Sequence, residues 1–184
     1  MTTVPAQYHI ESAPLLFGRG EAVFSLDRVY RYRLSRMWSD RPWGTDADYA
    51  LWVMLNPSKA NAFRLDPTCA RVESFTKKWG LDGFVVVNLF GLCSTDPRAL
   101  LRHPDPAGPA NSEFIAGAAT YASVIVAAWG AHPRAALQAQ GVMEILAAHP
   151  QGVSCLGTTR AGHPRHPLYV KGGTELVPYI PGEM

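Results

Sequence analysis

Three short apolar runs constrain the fold of this chain more than any other feature. They span residues 49–55, 84–90 and 123–129, and each has the length of one β-strand. Strands that are apolar at consecutive positions are typical of a sheet covered on both faces. Helical patterns lie between the runs, and strands that alternate with helices favour parallel pairing. The pattern therefore predicts an α/β fold, a three-layer sandwich with a central mostly parallel sheet and helices on both faces.

The length predicts a single domain over residues 1–184, since one hydrophobic core is enough for a chain of this size. We expect residues 48–170 to form the α/β core that carries the candidate site. Residues 1–47 are expected to add an N-terminal β extension, in which residues 22–38 alternate well enough to form a strand pair. A fourth core strand is predicted over residues 153–156.

The clearest helix signal begins at Asp66. An Asp at the N-cap followed by Pro67 at the first helical position is a common way to begin a helix, and Gly80 is placed to end it. The sequence also predicts a helix that Asn111 caps, and another over residues 133–148.

The composition restricts the partners and cofactors of the chain. Lys and Arg outnumber Asp and Glu by only 17 to 15, so any nucleic-acid footprint must be a local cluster of basic side chains. Three cysteines without a CxxC pair predict reduced thiols, no metal or iron–sulfur site and no cofactor. The start of the chain lacks a signal-peptide pattern, and no apolar run has membrane-spanning length. We therefore expect a cytoplasmic protein without a membrane partner.

Unusual polar residues follow the predicted strands. In α/β sheets of this type, ligands bind beyond the carboxyl ends of the strands, and the first of these ends carries Asn56, Pro57 and Ser58. Asn56 has the groups to hold a water or a substrate carbonyl, and the amides after Pro57 are able to face an anion. An ordinary turn explains the same three residues equally well. Ser58 lacks the G-x-S-x-G pattern of a hydrolase nucleophile.

Asn88 interrupts the second apolar run. A buried amide without a partner costs roughly 1–3 kcal/mol, so Asn88 either bonds a neighbouring loop or is retained for a ligand. Its acceptor and two donors suit the edge of a pyrimidine or another amide-like ring. Phe63 and Phe90 are candidates for stacking on such a ring, with core packing as the alternative. Asp66 is favoured as a helix cap, and a capping Asp is able to face a site.

Residues 158–167 place two arginines and two histidines between prolines. This composition indicates phosphate or oxyanion recognition by Arg160, His163, Arg165 and His166. An exposed basic loop is the alternative. No carboxylate at helical spacing accompanies the histidines, so a metal site is not indicated.

Several motifs, taken in order, resemble a known family across most of the chain. It is the bacterial and phage family catalogued as domain of unknown function 1643, whose name implies no activity. The motifs that carry the resemblance are YRYRLSRMW, VMLNPSKAN, DPTCARVESFTKKWG, VVNLFGLCSTDPRAL, VIVAAWG and CLGTTRAGHPRHPLY.

A second and more remote resemblance, to the uracil-DNA glycosylase superfamily, covers roughly residues 48–170. The segment around Asn56 resembles the water-activating G-x-N-P-G loop of the mismatch-specific branch, which implies that Asn56 positions the attacking water. The resemblance further implies that Phe63 stacks on a flipped base and that Asn88 recognises the edge of that base. His166 lies in a sequence similar to the late H-P-S loop, where the histidine stabilises charge on the base.

The chain also departs from that superfamily. Residues 124–130 are similar to its V-I-V-A-L-G strand, but Ser58 and Leu168 replace the usual glycine and serine. The cluster cysteines of its thermophilic branch are absent, and residues 1–47 have no counterpart. The likeness is therefore one of motif order along a uracil-DNA-glycosylase-like fold.

The leading hypothesis is cleavage or binding of a modified or damaged base or nucleoside in DNA, with Asn56, Asp66 and His166 as catalytic residues. A non-catalytic nucleotide- or nucleic-acid-binding module is one alternative, and a hydrolase or transferase acting on a small nucleotide is another. The residues expected to bind the substrate are Pro57, Ser58, Phe63, Asn88, Phe90, Arg160, His163 and Arg165.

Overall fold

The computed structural model describes residues 7–39 and 47–182, which form one mixed eight-stranded sheet and four helices. The first six residues and residues 40–46 of the predicted N-terminal extension lie outside this description. The strands are β1 (His9–Pro14), β2 (Arg19–Phe24), β3 (Arg31–Met37), β4 (Tyr49–Met54), β5 (Gly83–Asn88), β6 (Val124–Ala127), β7 (Val153–Cys155) and β8 (Val177–Pro178). The helices are α1 (Pro67–Lys78), α2 (Ala99–Arg102), α3 (Asn111–Ala119) and α4 (Ala135–Leu146), and a short 3-10 turn spans Pro167–Tyr169.

The sheet has the order β1-β2-β3-β5-β4-β6-β7-β8. Among the described strands, four of the seven pairings are antiparallel, so the prediction of a mostly parallel sheet is wrong. Parallel pairing is confined to β5, β4, β6 and β7. Two of the antiparallel pairings arise because short turns join β1 to β2 and β2 to β3, whereas β3 with β5 and β7 with β8 pair across longer stretches of chain. The predicted pair over residues 22–38 corresponds to parts of β2 and β3, whereas β1 was not predicted.

Helices cover both faces of the four parallel strands. All six residues of β4 and all six of β5 are buried, as their continuous apolar sequence predicts. Trp52 and its neighbours on one face pack with Phe75 of α1. Leu51 and its neighbours on the opposite face pack with Ile115 of α3 and Val142 of α4. None of the described helices is both long and apolar enough to cross a membrane.

Helix α1 begins as the sequence predicts. Asp66 is its N-cap, and the Asp66 carboxylate accepts a hydrogen bond of 2.8 Å from the Cys69 amide. Pro67 occupies the first helical position, where a missing N–H costs nothing. The helix ends before Gly80, whose φ of +74° suits glycine. The cap therefore holds Asp66 at the end of the sheet where β4 and β5 also end.

Asn111 does not cap α3, contrary to the prediction. It is the first residue of that helix, and the position before it makes no side-chain capping bond. The Asn111 amide instead donates hydrogen bonds of 3.0 Å and 3.1 Å to the carbonyls of Asn88 and Leu89. Because both acceptors lie at the end of β5, Asn111 ties α3 to the carboxyl edge of the sheet.

One edge of the sheet collects chain segments from both its parallel and its antiparallel parts. Strands β4, β5 and β6 run in the same direction, so their carboxyl ends meet there. Strand β3 is antiparallel to β5, which brings its first residue, Arg31, to the same edge. Loops that follow parallel strands and the start of an antiparallel one therefore surround a common space.

Candidate functional site

A pocket of about 410 Å³ lies at this carboxyl edge. Its volume is in the range of small-molecule sites. The walls come from the loops after β4, β5 and β6, the start of α1, the first residue of β3 and the 3-10 turn. Of the residues singled out from the sequence, five line it: Asn56, Ser58, Asp66, Asn88 and His166.

Asn88 is the last residue of β5 and is only 1% exposed. Its amide nitrogen Nδ2 is buried and has no hydrogen-bond partner in the described part of the chain. Leaving such a donor unpaired costs roughly 1–3 kcal/mol. The alternative that this side chain bridges a neighbouring loop therefore has no described hydrogen bond to support it, and the residue lines the pocket.

Asn56 is half-buried, and its amide is oriented by backbone carbonyls. Nδ2 donates to the carbonyl oxygens of Ser94 at 2.9 Å and Pro57 at 3.0 Å, with a longer contact of 3.4 Å to Leu92. These acceptors require a nitrogen at that position, so the oxygen Oδ1 is the group left to accept a hydrogen bond. Asn56 thus joins the loops after β4 and β5 and also contributes an acceptor to the pocket.

His166 enters the pocket from the segment before the 3-10 turn. Its Nδ1 accepts a hydrogen bond of 3.4 Å from the Leu168 amide, which places the ring proton on Nε2. Burial lowers the pKa of His166 below its ordinary value, and the charge of Asp66 opposes that shift. A neutral imidazole with an Nε2–H donor therefore lines the pocket beside the capping carboxylate.

Arg31 also lines the pocket, although it was not singled out from the sequence. The residue is 2% exposed, and its Nη1 donates to the Ala60 carbonyl at 2.6 Å. Its Nε is buried without a partner, and the side chain forms no ion pair with a described carboxylate. Strand β3 carries three arginines, Arg31, Arg33 and Arg36, and nothing in the sequence distinguishes Arg31 from the other two.

Six of the eight predicted substrate-binding residues lie outside the pocket, and three of these six are Phe63, Phe90 and Pro57. Phe63 is 62% exposed and lines a separate surface groove with Phe17 and Lys77. Phe90 is buried in the core on the α3 and α4 face of the sheet, so its alternative assignment, core packing, describes its position. Pro57 is buried beside the pocket without lining it, and its carbonyl accepts from the Ser94 amide.

The basic loop contributes one of its four predicted side chains, His166. A backbone bridge between Thr158 and Pro164 closes the loop into a compact hairpin. Arg160 and Arg165 are exposed outside the pocket, and the Arg165 guanidinium donates to the Thr158 carbonyl at 3.0 Å. His163 lines a different, more apolar pocket beside α4. The hairpin therefore positions His166 while its arginines face solvent.

Several pocket residues were missed at the sequence level. Trp129 is the second residue after β6, and Tyr169 is an exposed aromatic residue in the 3-10 turn. Trp129 was visible as the aromatic end of the third apolar run, immediately before a glycine. The remaining polar residues in the lining are Thr68, Ser94 and Thr95. Together they give the pocket two aromatic rings and three hydroxyl groups.

Cys69 lines the pocket but is not a nucleophile at neutral pH. Burial raises the pKa of its thiol to about 12, and the nearby Arg31 charge offsets only part of this effect. The described residues contain no group of three His, Cys, Asp or Glu side chains placed to hold a metal ion. The pocket lining supplies amides, hydroxyl groups, a carboxylate, a neutral histidine and a buried guanidinium.

Comparison with protein families identifies one match. The family described as "Protein of unknown function (DUF1643)" matches residues 31–168. The chain belongs to this family. No curated protein and no solved structure matches the chain, and the comparisons do not support the remote resemblance to uracil-DNA glycosylases.

The region shared with the DUF1643 family contains nearly the whole pocket. The match begins at Arg31 and ends at Leu168, so the lining residue that falls beyond it is Tyr169. Strands β1, β2 and β8 lie outside the match. The pocket therefore belongs to the part of the chain that defines the family.

Proposed function

We propose that this protein hydrolyses the N-glycosidic bond of a modified or damaged base, held in the pocket at the carboxyl edge of the sheet. The observation that carries the proposal is the unpaired, buried Nδ2 of Asn88 in a pocket that also contains Asn56 and His166. A donor kept at a cost in stability is explained by a ligand acceptor that completes it.

Recognition of the base rests on Asn88. Its Nδ2 donates to a ring carbonyl, and its Oδ1 is available to accept from the adjacent ring N–H. Trp129 and Tyr169 supply the aromatic surfaces of the pocket, in the role first expected of Phe63 and Phe90. The amide thus selects the base by its polar edge, and the rings contribute affinity that is less dependent on its identity.

The chemistry divides between the two ends of the glycosidic bond. The bond from C1′ to the ring nitrogen breaks, and its electron pair stays on the base. The Nε2–H of neutral His166 donates a hydrogen bond to the developing anion. Asn56 Oδ1 orients a water whose oxygen bonds to C1′, and the proton released by that water passes to the carboxylate of Asp66.

One observation favours a non-catalytic binding module as the second candidate. The amide nitrogen of Asn56 is committed to backbone carbonyls, so a structural role explains this residue without turnover. A binding module would use Asn88 and His166 for affinity alone. The two candidates differ in whether loss of the Asn56 amide removes product formation or only weakens binding.

A screen of oligonucleotides tests the proposal. Duplexes and single strands that carry uracil, hypoxanthine or another modified base are incubated with the protein and scored for abasic sites by alkaline cleavage. We expect abasic sites with at least one base and a loss of about 10²-fold or more in rate for Asn56→Ala. Asn61→Ala is the control, because Asn61 bonds the amides of Phe63 and Arg64 outside the pocket. Base-dependent binding without abasic sites would assign the binding module, and neither binding nor cleavage would refute both.

Contacts to a DNA backbone are proposed for the exposed Arg160 and Arg165. Phosphate contacts release counterions, so removing two of them should lower the slope of log affinity against log salt by about 1–2. The Arg160→Ala and Arg165→Ala double variant should weaken binding to every sequence, whereas an Asn88 variant should lose base preference alone. A salt titration of oligonucleotide binding measures both effects, and an unchanged slope would remove the hairpin from the DNA interface.

A further inference from the structure

The pocket contains a buried cation that the proposed hydrolysis leaves unused. Arg31 is 2% exposed, lines the pocket and forms no ion pair with a described carboxylate. A buried charge is costly unless hydrogen bonds and an opposite charge compensate it. The single hydrogen bond from its side chain to the Ala60 carbonyl supplies only part of that compensation.

The free edge of the guanidinium has a defined chemistry. Nη1 is occupied by the Ala60 carbonyl, whereas Nε has no partner and Nη2 donates to no described residue. Nε and Nη2 form one side of the planar guanidinium group, and two parallel N–H bonds from that side match two oxygens of one anion. Arg31 therefore keeps an edge of two donors, Nε and Nη2, without described partners, while the Ala60 carbonyl anchors Nη1.

Arg36 on the same strand provides the contrast. It is also buried, and it anchors the same loop by donating from Nη1 to the Ala62 carbonyl and from Nη2 to the Asn61 carbonyl at 3.1 Å. Both terminal nitrogens are thus occupied, and Arg36 does not line the pocket. Loop anchoring accounts for Arg36, but it leaves half of the Arg31 guanidinium unexplained.

We propose that Arg31 is the phosphate-binding residue of the pocket, so that the substrate is a nucleotide whose phosphate sits on the Nε and Nη2 edge while its base meets Asn88. This inference rests on the proposed function for the identity of the substrate. The phosphate comes either from the monoester of a free nucleotide or from a diester of a DNA strand. Both sources present two non-bridging oxygens to the same guanidinium edge.

Calorimetric titrations test the subsite. The probes are inorganic phosphate, the nucleosides deoxyuridine and deoxyinosine, their 5′-monophosphates, and short single strands that contain the same bases. With wild type we expect each monophosphate or strand to bind about 10- to 100-fold more tightly than its nucleoside. Arg31→Gln should reduce that ratio to about 1, and Arg31→Lys should retain part of it because a lysine keeps the charge without the fork.

Arg36→Lys is the matched control, since it weakens an anchor of the same loop away from the pocket. It should retain the wild-type ratio. If Arg31→Gln does not fold, Arg31→Lys and Arg36→Lys are compared instead. The measured quantity is again the affinity for the monophosphate or strand divided by the affinity for its nucleoside. Equal ratios in these two variants would overturn the subsite.

The different probes in these titrations distinguish failure of the phosphate subsite from failure of the proposed function. Inorganic phosphate that binds wild type and not Arg31→Gln supports the subsite even when no base is recognised. Nucleosides that bind through Asn88 without any gain from a phosphate retain the proposed function and refute the subsite. A gain with monophosphates alone assigns a free nucleotide, and a gain with strands assigns DNA.

Discussion

Polar groups at the two edges of the four parallel strands differ in whether they have hydrogen-bond partners within the protein. At the edge where these strands begin, polar groups pair with one another: Asp48 N–H donates to Asp82 at 3.1 Å, and the Ser123 hydroxyl donates to Asp48 at 3.0 Å. At the carboxyl edge, Asn88 and Arg31 keep buried donors without partners in the described chain. We call the first the closing edge, because its polar groups are paired within the protein. The unpaired donors at the carboxyl edge lower the stability of the fold, and a bound ligand would offset that cost.

The largest expected effect comes from the closing edge. Tyr49 is fully buried, and its hydroxyl donates to the Ala118 carbonyl at 2.8 Å. Tyr49→Ala should cost about 3–5 kcal/mol in the free energy of unfolding, measured by urea denaturation. Tyr169→Ala, at the exposed rim of the pocket, is the contrasting aromatic variant and should change that free energy by less than about 0.5 kcal/mol. Similar losses in both variants would mean that the pocket edge is as important for folding as the closing edge.

Two buried asparagines sharpen the comparison. Asn88 and Asn111 are equally buried, but Asn111 donates to two carbonyls while Asn88 Nδ2 donates to none that is described. Asn111→Leu should destabilise the fold by about 1–3 kcal/mol. Asn88→Leu should leave the stability unchanged or raise it, yet reduce affinity for the ligand by at least about tenfold. Thermal unfolding and calorimetry measure the two effects, and a large destabilisation by Asn88→Leu would assign it a structural role.

Asp66 has a structural role as a helix cap and a proposed catalytic role in the pocket, and two substitutions separate these roles. Its carboxylate caps α1 and lines the pocket. Asp66→Ala should cost about 1 kcal/mol because the Cys69 amide loses its acceptor. Asp66→Asn keeps an oxygen cap and should cost less than half of that, but it removes the carboxylate from the pocket. Abasic-site formation that survives in Asp66→Asn would exclude this residue as the acceptor of the water proton.

Local sequence signals predicted the elements of the fold better than their pairing. The cap at Asp66 and the continuous apolar strands depend on neighbouring residues, so α1, β4 and β5 could be located from the sequence. The antiparallel pairing of β3 with β5 joins residues about fifty positions apart, and nothing in either segment specifies it. The predicted sheet was consequently too parallel.

The same limit explains which site residues were found. Asn56 and Asn88 lie at the carboxyl ends of parallel strands, where the rule for α/β sheets directs attention. Arg31 reaches the pocket from the beginning of an antiparallel strand, so it became visible only once the pairing was known. Phe90 lies two residues beyond Asn88, but its side chain points into the core and packs on the face covered by α3 and α4.

The smallest expected effect is a pH dependence at His166. Burial lowers the pKa of this imidazole in the folded protein below its value of about 6.5 in an unfolded chain. Between the two pKa values the unfolded chain binds more protons, so the stability contributed by neutral His166 is complete above about pH 6.5 and declines as the pH falls below it. His166→Gln does not titrate and should flatten this part of the stability profile, measured by urea denaturation from pH 8 down to pH 4.5. His132→Gln, which makes the same substitution outside the pocket lining, is the matched control. Identical profiles for wild type and His166→Gln would contradict the burial of a neutral ring beside Asp66 and, with it, the Nε2–H donor on which stabilisation of the leaving base depends.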